Sequence, residues 1–271
     1  MLRKTTLTLL FCAAAGAFSF SASADTLANI KNRSSIKVGI DLGQAPFGMV
    51  NGEMKQVGSD VDTARLLAKD LGVELEVVSI APANRIQFLM TGKVDVVIAS
   101  FSITEERKKQ VDFSYPYAVS QVVVATTKGQ KLPTLESLAG KDIAVTRGST
   151  NDTLITEALK EKNIEGARVV RYDDNASTTN AVISGQQDVY AVAASLLIPV
   201  NEANPNNQIE SQFPLKVFPL AVGLRKNEPA LKNWVNDWVM NNLKNGELNK
   251  IYQTYHGASL PDDLVAGKFD N

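Results

Sequence analysis

The 271-residue sequence contains one cysteine and one histidine, and this scarcity excludes several kinds of site. With only Cys12 and His256, the chain cannot form an internal disulfide or assemble a Cys/His zinc site. Its 28 basic and 29 acidic residues nearly cancel, so nothing electrostatic favours nucleic acid or an anionic membrane as a partner. Composition therefore favours a binding protein over a hydrolase or a metalloenzyme, and we expect no cofactor and no metal.

The sequence also lacks a hydrophobic run of about 20 residues, the length that a bilayer span needs. Its N-terminal apolar stretch, residues 7–17, follows Arg3 and Lys4 and precedes the small residues Ala22-Ser23-Ala24. This order is typical of a secretory signal peptide, so we predict that residues 1–24 form a signal that is cleaved after Ala24. The rest of the chain would then be exported, most simply to a bacterial periplasm.

Beyond the predicted signal, β-rich runs alternate with helical patterns, which is typical of α/β architecture with mostly parallel sheets. Strands are predicted over 36–40, 73–80 and 94–99 in the first half, and over 142–146, 167–172 and 188–192 in the second. Helices are predicted over 60–71 (capped by Ser59), 84–90, from the end of Gly148-Ser149-Thr150 to about 160, 177–184 and 228–245. Two similar halves indicate two lobes, each with its own sheet, and the extended stretches 117–126 and 213–222 would cross between them.

The most informative segment runs from Ala99 to Arg107, after a predicted buried strand. Thr104 is a good N-cap for a helix that begins at Glu105, but a cation such as Arg107 is disfavoured in a first helical turn. A bound anion would explain it, because guanidinium holds a carboxylate by two points and Ser102 can add a hydroxyl and an N–H. The alternative is a surface arginine paired with Glu105, Glu106 or Asp112.

The residues Gly148-Ser149-Thr150 occupy the same position in the second half, between a strand and a helix. Glycine permits close approach of the backbone, and the N–H groups that follow point beyond the strand end. Ligands of open α/β sheets bind beyond the carboxyl ends of the strands. We therefore predict that the two turns face each other across a cleft.

Several blocks of residues, taken in order, make a family resemblance specific. They are Asp41, Ala45-Pro46-Phe47, Gly58-Ser59-Asp60-Val61-Asp62, Asn84-Arg85-Ile86, Ser102-Ile103-Thr104-Glu105-Glu106-Arg107, Val111-Asp112-Phe113-Ser114-Tyr115-Pro116-Tyr117 and Gly148-Ser149-Thr150. In these blocks the sequence resembles the periplasmic polar amino-acid-binding proteins of ABC importers, solute-binding protein family 3.

The resemblance implies the two-lobe periplasmic-binding-protein fold (type II), with a mostly parallel sheet flanked by helices in each lobe and two crossover strands. We expect residues 25–118 and 219–271 to form lobe 1 and residues 119–218 to form lobe 2. Such a protein closes on a free amino acid and delivers it to an inner-membrane ABC permease. We expect a monomer that is not an enzyme.

The resemblance also assigns roles to single residues. The arginine that matches Arg107 clamps the ligand α-carboxylate, helped by backbone groups that match Ser102 and Thr150. The residue that matches Ser100 offers its carbonyl to the α-ammonium group.

Three further positions carry ligand-binding roles by the same resemblance. Asp41 and Phe47 would line the side-chain end or the wall of the cleft. Arg85 matches an arginine that holds a side-chain carboxylate in members that bind aspartate or glutamate, although an exposed helix residue is the alternative.

One departure from the family pattern concerns the ammonium group, because Ala193 stands where the family usually has an aspartate. An unpaired ammonium in a closed cleft would be costly, so Ser195 or Asp41 substitutes or the ligand lacks an ordinary α-ammonium. Pro82 replaces a stacking aromatic and argues against the usual pocket for basic amino acids. The expected ligand is an acidic, polar or modified amino acid.

Two rival functions stay open at this point. Cyclohexadienyl dehydratases resemble these binding proteins, but their chemistry would need a carboxylic acid in the cleft, for which Asp41 is the only obvious candidate. The protein could also present its ligand to a chemoreceptor or a sensor kinase.

Overall fold

Strands and helices alternate along the chain in the computed structural model, which describes residues 25–269; the predicted signal, 1–24, lies outside this range. The helices are α1 (Thr26–Arg33), α2 (Ser59–Leu71), α3 (Arg85–Met90), α4 (Glu105–Gln110), α5 (Thr150–Glu161), α6 (Asn175–Ile183), α7 (Leu197–Ala203), α8 (Pro229–Lys244), α9 (Glu247–His256) and α10 (Asp262–Val265). The strands are β1 (Ser35–Ile40), β2 (Met49–Val50), β3 (Gln56–Val57), β4 (Glu74–Ser79), β5 (Val96–Val97), β6 (Asp112–Thr127), β7 (Asp142–Thr146), β8 (Arg168–Tyr172), β9 (Val189–Ala193) and β10 (Ile209–Leu224).

Eight strands form one sheet in the order β4-β1-β5-β10-β6-β9-β7-β8. β4, β1 and β5 are parallel to one another, and so are β9, β7 and β8. Between these groups β6 and β10 pair antiparallel from Asp112–Leu224 at one end to Thr127–Ile209 at the other. We call the elements around β4-β1-β5 the first lobe, those around β9-β7-β8 the second lobe, and the β6–β10 pair the hinge ribbon.

The two-lobe α/β fold is thus confirmed, with parallel strands in each lobe and two crossover strands. The lobes do not have separate sheets, however, because the hinge ribbon joins them into one. Its strands extend beyond the predicted 117–126 and 213–222 at both ends. The hydrogen bonds of β6 and β10 to each other explain that extension, and local sequence patterns do not report such pairing.

Helices cover the sheet with the faces that their apolar spacing predicts. In the first lobe Leu67 of α2 and Val235 and Trp238 of α8 belong to one buried cluster. In the second lobe Ile155 of α5 packs into a cluster with Ile143 of β7. Each lobe therefore has its own hydrophobic core, as a domain of this size requires.

The start of α2 differs from the prediction of a Ser59 cap. Gly58 is the N-cap, at φ +132°, and Ser59 is the first helical residue. A Cβ at Gly58 would lie 2.3 Å from the carbonyl oxygen of Phe47, so only glycine fits there. This close approach of two distant backbone segments explains why the sequence pattern placed the cap one residue late.

Within residues 25–269, no helix is both long enough and apolar enough to cross a bilayer.

Candidate functional site

The segments that follow five parallel strands converge between the two lobes. Asp41 follows β1, Arg85 follows β4 after a short 3₁₀ turn, and Ser100 follows β5. In the second lobe Gly148 follows β7 and Asn175 follows β8. The carboxyl ends of strands in open α/β sheets are the usual location of ligand sites, and here both lobes contribute them to one cleft.

The two turns singled out by the sequence meet in this cleft. The Ser102 hydroxyl lies 2.9 Å from the Thr150 hydroxyl across the lobes. They help to enclose a cavity of about 10 Å³, which is room for about one water molecule. Its lining residues are Gln44, Arg85, Ser100, Ser102, Ser120, Val122, Ser149, Thr150, Asn151, Asn175 and Ala193. A larger solute therefore requires the lobes to separate for its entry and the side chains of the cleft to exchange their present contacts for contacts with the solute.

Arg107 connects the lobes through its guanidinium group. Its Nη1 donates to the Ser102 carbonyl at 2.9 Å, and its Nη2 donates to the Gly148 carbonyl of the second lobe at 3.2 Å. The guanidinium carbon also lies 4.9 Å from the centre of the Phe101 ring. Burial, followed by the nearby charge of Arg85, lowers the pKa of Arg107 to about 9.

The alternative of a surface arginine is wrong for Arg107, because its side chain is buried. The three acids proposed as its partners form ion pairs with lysines instead, namely Glu105 with Lys108, Glu106 with Lys109 and Asp112 with Lys232. The predicted helix start is confirmed, since α4 begins at Glu105 and the Thr104 hydroxyl accepts from the Arg107 N–H.

A second buried guanidinium, that of Arg85, lines the cavity itself, whereas Arg107 lies outside the group of lining residues. Only 3% of this residue is exposed, so the alternative of an exposed helix residue is wrong. Its Nη2 lies 3.8 Å from the Asp41 carboxylate, and its Nε has no hydrogen-bond partner among residues 25–269. Burial lowers the pKa of Arg85, an effect that the neighbouring charges of Asp41 and Asp60 oppose.

Asp41 contacts both lobes. Its Oδ2 accepts from the Asn175 amide of the second lobe at 2.8 Å, and its Oδ1 accepts from the Gly43 N–H at 3.0 Å. Burial raises the pKa of Asp41, and the charge of Arg85 is the main opposing influence. Asp41 does not itself line the cavity, but it contacts two residues that do, Arg85 and Asn175.

Asp60 is a buried carboxylate beside the site to which the sequence analysis gave no role. Its Oδ2 accepts from the Ser100 N–H at 2.6 Å, and its Oδ1 accepts from the Tyr117 hydroxyl at 2.7 Å. Burial raises the pKa of Asp60 to about 7. The position of Asp60 on the predicted buried face of α2 could have indicated a role for this acid. An acid in the first turn is also common in helices without any such role, because a negative charge suits a helix N-terminus.

Phe47 lies in the first-lobe core, outside the group of residues that line the cavity. It is 1% exposed, and the centre of its ring is 4.7 Å from that of His256. A role for Phe47 in ligand binding stays a prediction. Ala193 does line the cavity, and none of the lining residues is acidic.

Several lining residues were missed by sequence reasoning. Asn175 begins α6 after β8, so it occupies a third strand-to-helix turn equivalent to those of Ser102 and Thr150. Ser120 and Val122 lie two residues apart on β6, where side chains of alternate residues share a face. Both signals are general features of such folds, and neither singles out a residue by its chemistry.

The part of the chain that matches known proteins includes every residue that lines the cavity. The sequence profile of the bacterial extracellular solute-binding proteins, family 3, matches residues 36–258. The ABC transporter glutamine-binding protein of Bacillus subtilis is 30% identical over 236 residues, which are 85% of this chain and 84% of the relative.

Solved structures of amino-acid-binding proteins are also similar to this chain. An ancestral arginine-binding protein bound to arginine matches with a TM-score of 0.77 and 32% identity, over 82% of this chain and 98% of that protein. The ancestral amino acid-binding protein AncCDT-1, described as a precursor of cyclohexadienyl dehydratase, matches with a TM-score of 0.76 and 31% identity, over 85% and 99%.

Proposed function

The chain belongs to family 3 of the bacterial extracellular solute-binding proteins, and on that premise we propose that it captures a free amino acid between its lobes for an inner-membrane ABC permease. The glutamine-binding relative is named as part of an ABC transporter. An exported protein with a cleaved signal, working in the periplasm as a monomer, fits this role. The ligand would stabilise a closed state by contacts with both lobes.

The observation that carries the proposal is the buried guanidinium of Arg107 between the lobes. Its hydrogen-bond partners are two neutral carbonyls, one from each lobe. A carboxylate would give the cation a charged, two-point partner. We propose that the ligand α-carboxylate replaces these carbonyl contacts and that the hydroxyls of Ser102 and Thr150 assist it.

The charges around the cavity favour a ligand with additional negative charge. The guanidinium groups of Arg85 and Arg107 are opposed by the carboxyl groups of Asp41 and Asp60. Burial raises the pKa of both carboxyl groups, to about 7 for Asp60, and so favours their neutral forms. We propose an acidic or polar amino acid, or a modified one with a second carboxylate, whose side chain approaches Arg85.

The ammonium group of such a ligand still needs acceptors, because Ala193 offers none. We assign this role to the carbonyl of Ser100, which lines the cavity, and to the carboxylate of Asp41, which contacts the lining residue Asn175. Asp41 would exchange its bond from the Asn175 amide for a charge-assisted bond from the ammonium group, which is stronger.

A thermal-shift screen tests the ligand class. The panel contains the twenty protein amino acids, L-cystine, opines and dicarboxylates, since a tight ligand raises the unfolding temperature by mass action. We expect acidic or polar amino acids to give the largest shift. A panel without any shift would contradict the proposed function.

Calorimetry with the compound that shifts most then tests Arg107. Replacing Arg107 with alanine should weaken binding by about 2–4 kcal/mol, the cost of removing one partner of a buried charged pair. Arg168→Ala is the matched control, because Arg168 is exposed and pairs with Asp142 on the second lobe. Equal affinity of the Arg107 and Arg168 variants would refute the clamp.

The enzyme alternative rests on the likeness to the dehydratase precursor, which is itself described as an amino acid-binding protein. Acid catalysis needs a carboxyl group that reaches the substrate. Asp60 accepts bonds from Ser100 and Tyr117 and does not line the cavity, and Asp41 is the carboxylate that we assign to the ligand ammonium group. We therefore propose binding without catalysis, and incubation with prephenate or arogenate should give no aromatic product.

A further inference from the structure

The Asp60 carboxylate connects three elements next to the cavity. It lies in the first turn of α2, 1% exposed, and it accepts one hydrogen bond from the turn after β5 and one from the hinge ribbon. The donors are the Ser100 N–H and the Tyr117 hydroxyl, and Tyr117 is itself 2% exposed. Each oxygen has a protein donor, so the carboxylate is a fixed part of the structure behind the turn after β5.

Ser100 has an unusual backbone conformation at this point. Its φ is +48°, in the left-handed region that non-glycine residues rarely adopt. Such a conformation persists only when surrounding contacts enforce it. Two contacts are available, namely the bond from the Ser100 N–H to Asp60 and a longer one of 3.4 Å from the Gln44 amide to the Ser100 hydroxyl.

The bond to Asp60 is the stronger of the two. It is 2.6 Å long and its acceptor is a carboxylate, whereas the Gln44 contact joins two neutral groups at the limit of hydrogen-bond length. Asp60 therefore has the larger influence on the conformation of Ser100.

We propose that Asp60 is a positioning residue that holds Ser100 in the left-handed conformation and so fixes the cavity wall where the ligand ammonium group binds. The inference rests on the proposed function, since Ser100 supplies the ammonium acceptor there. Asp60 itself does not line the cavity. Its effect on affinity is transmitted through the backbone of Ser100.

The charged groups around Asp60 are consistent with this role. Arg85 on α3 lies near enough to favour the ionised form, whereas Asp41 after β1 opposes it, and Tyr117 on β6 donates to it. The N-terminus of α2 also favours a carboxylate. Because burial raises the pKa of Asp60 to about 7, the Ser100 N–H resonance should shift with pH around neutrality.

Four variants separate positioning from general stability. Asp60→Ala removes the acceptor, Asp60→Asn keeps an oxygen that can accept from Ser100, and Asp60→Ala combined with Ser100→Gly supplies a residue that adopts positive φ without help. Asp62→Ala is the matched control. Asp62 lies in the same helical turn and also accepts from a tyrosine hydroxyl, that of Tyr255 at 2.7 Å, but it has no bond to Ser100.

Apparent affinity is obtained by fitting the unfolding temperature against the concentration of an equimolar mixture of the twenty protein L-amino acids and L-cystine, because the stabilisation grows as RT ln(1 + [L]/Kd). Asp60→Ala should weaken it by about ten- to a hundredfold, the range for a lost hydrogen bond to a charged group. Asp60→Asn should weaken it much less, and adding Ser100→Gly to Asp60→Ala should restore most of it. Asp62→Ala should leave it near the wild-type value.

Two results would overturn the inference. One is a double variant that binds as weakly as Asp60→Ala, which would mean that Asp60 acts otherwise than through the Ser100 backbone. The other is a Ser100 amide resonance whose pH dependence is the same in the wild-type protein and in Asp60→Asn. This NMR readout decides the question even if Asp60→Ala does not fold. If the mixture raises the unfolding temperature of neither the wild type nor any variant, the proposed amino-acid ligand is refuted. The NMR measurement still tests the role of Asp60 in that case.

Discussion

Replacing Gly148 with alanine should weaken solute binding by obstructing closure of the lobes. Gly148 lies in the turn between β7 and α5 at φ +71°, and a Cβ there would be 2.9 Å from the Cα of Ala83 in the first lobe. Carbon atoms normally make contact at about 3.5–4.0 Å. Because the obstructing atoms belong to the backbone, the lobes must move apart by roughly 1 Å.

The size of the effect follows from the cost of overpacking. Inserting a methyl group into a well-packed contact costs about 1–3 kcal/mol, which weakens binding by about fivefold to more than a hundredfold. The strained φ adds a penalty of about 1 kcal/mol to the stability of the second lobe. That second penalty lowers the unfolding free energy but does not depend on closure.

Gly185→Ala is the control that separates the two effects. Gly185 has φ +74° and would place its Cβ in open space, with nothing within 4 Å. Urea denaturation should show a similar loss of stability for both alanine variants. Calorimetry with the compound that gives the largest thermal shift should show weaker binding for Gly148→Ala alone. Equal affinities would refute the conclusion that the ligand-bound state brings Gly148 against Ala83.

Two further predictions concern charge. Ala193→Asp adds a carboxylate to the cavity wall at the position where the family usually has the partner of the ligand ammonium group, so amino acids with a free α-ammonium should bind about tenfold more tightly in calorimetry; an unchanged affinity would contradict the proposed place of the ammonium group. Burial lowers the pKa of His256 from an ordinary value of 6.5 to about 4. As the pH falls, His256 is therefore protonated in the unfolded state before it is protonated in the folded state. The free energy of unfolding then decreases between pH 6.5 and pH 4, by up to about 1 kcal/mol per pH unit. The raised pKa values of Asp41 and Asp60 have the opposite effect, because they make the folded state more stable as the pH falls. The test therefore compares the unfolding free energies of the wild type and His256→Gln at pH 7 and at pH 5, and the difference between the two proteins should decrease on acidification. A constant difference would be inconsistent with a buried neutral imidazole.

Local signals in the sequence were sufficient for much of the fold. β7 occupies the predicted residues 142–146, and α5 begins at Thr150 as its flanking Gly148 and Ser149 indicate. The meeting of Ser102 and Thr150 also followed from the sequence, because both residues come directly after strands of parallel sheets. These features depend on a few neighbouring residues and on a general rule of α/β topology.

Features that depend on distant contacts were not predictable in the same way. The bond between Asn175 and Asp41 joins residues 134 positions apart, and the bonds of Asp60 depend on the packing of α2 against β6 and the turn after β5. The N-cap of α2 shifted to Gly58 because of the Phe47 backbone, which is 11 residues away in sequence but adjacent in space. Burial of polar groups is decided by tertiary structure, and one sequence carries little direct sign of it.

The pairing of the hinge ribbon has a consequence for the energetics of opening. The N–H and C=O groups along β6 and β10 find their partners mainly within the ribbon, and register shifts lie between Ser211 and Phe213 and between Pro214 and Lys216. We expect one lobe to swing relative to the other by twisting of this pair, because a bulge bends its strand and disrupts the ladder only locally. The resistance to opening then comes from the few side-chain bonds across the cleft rather than from the backbone, so a solute that replaces those bonds sets the balance between the two states.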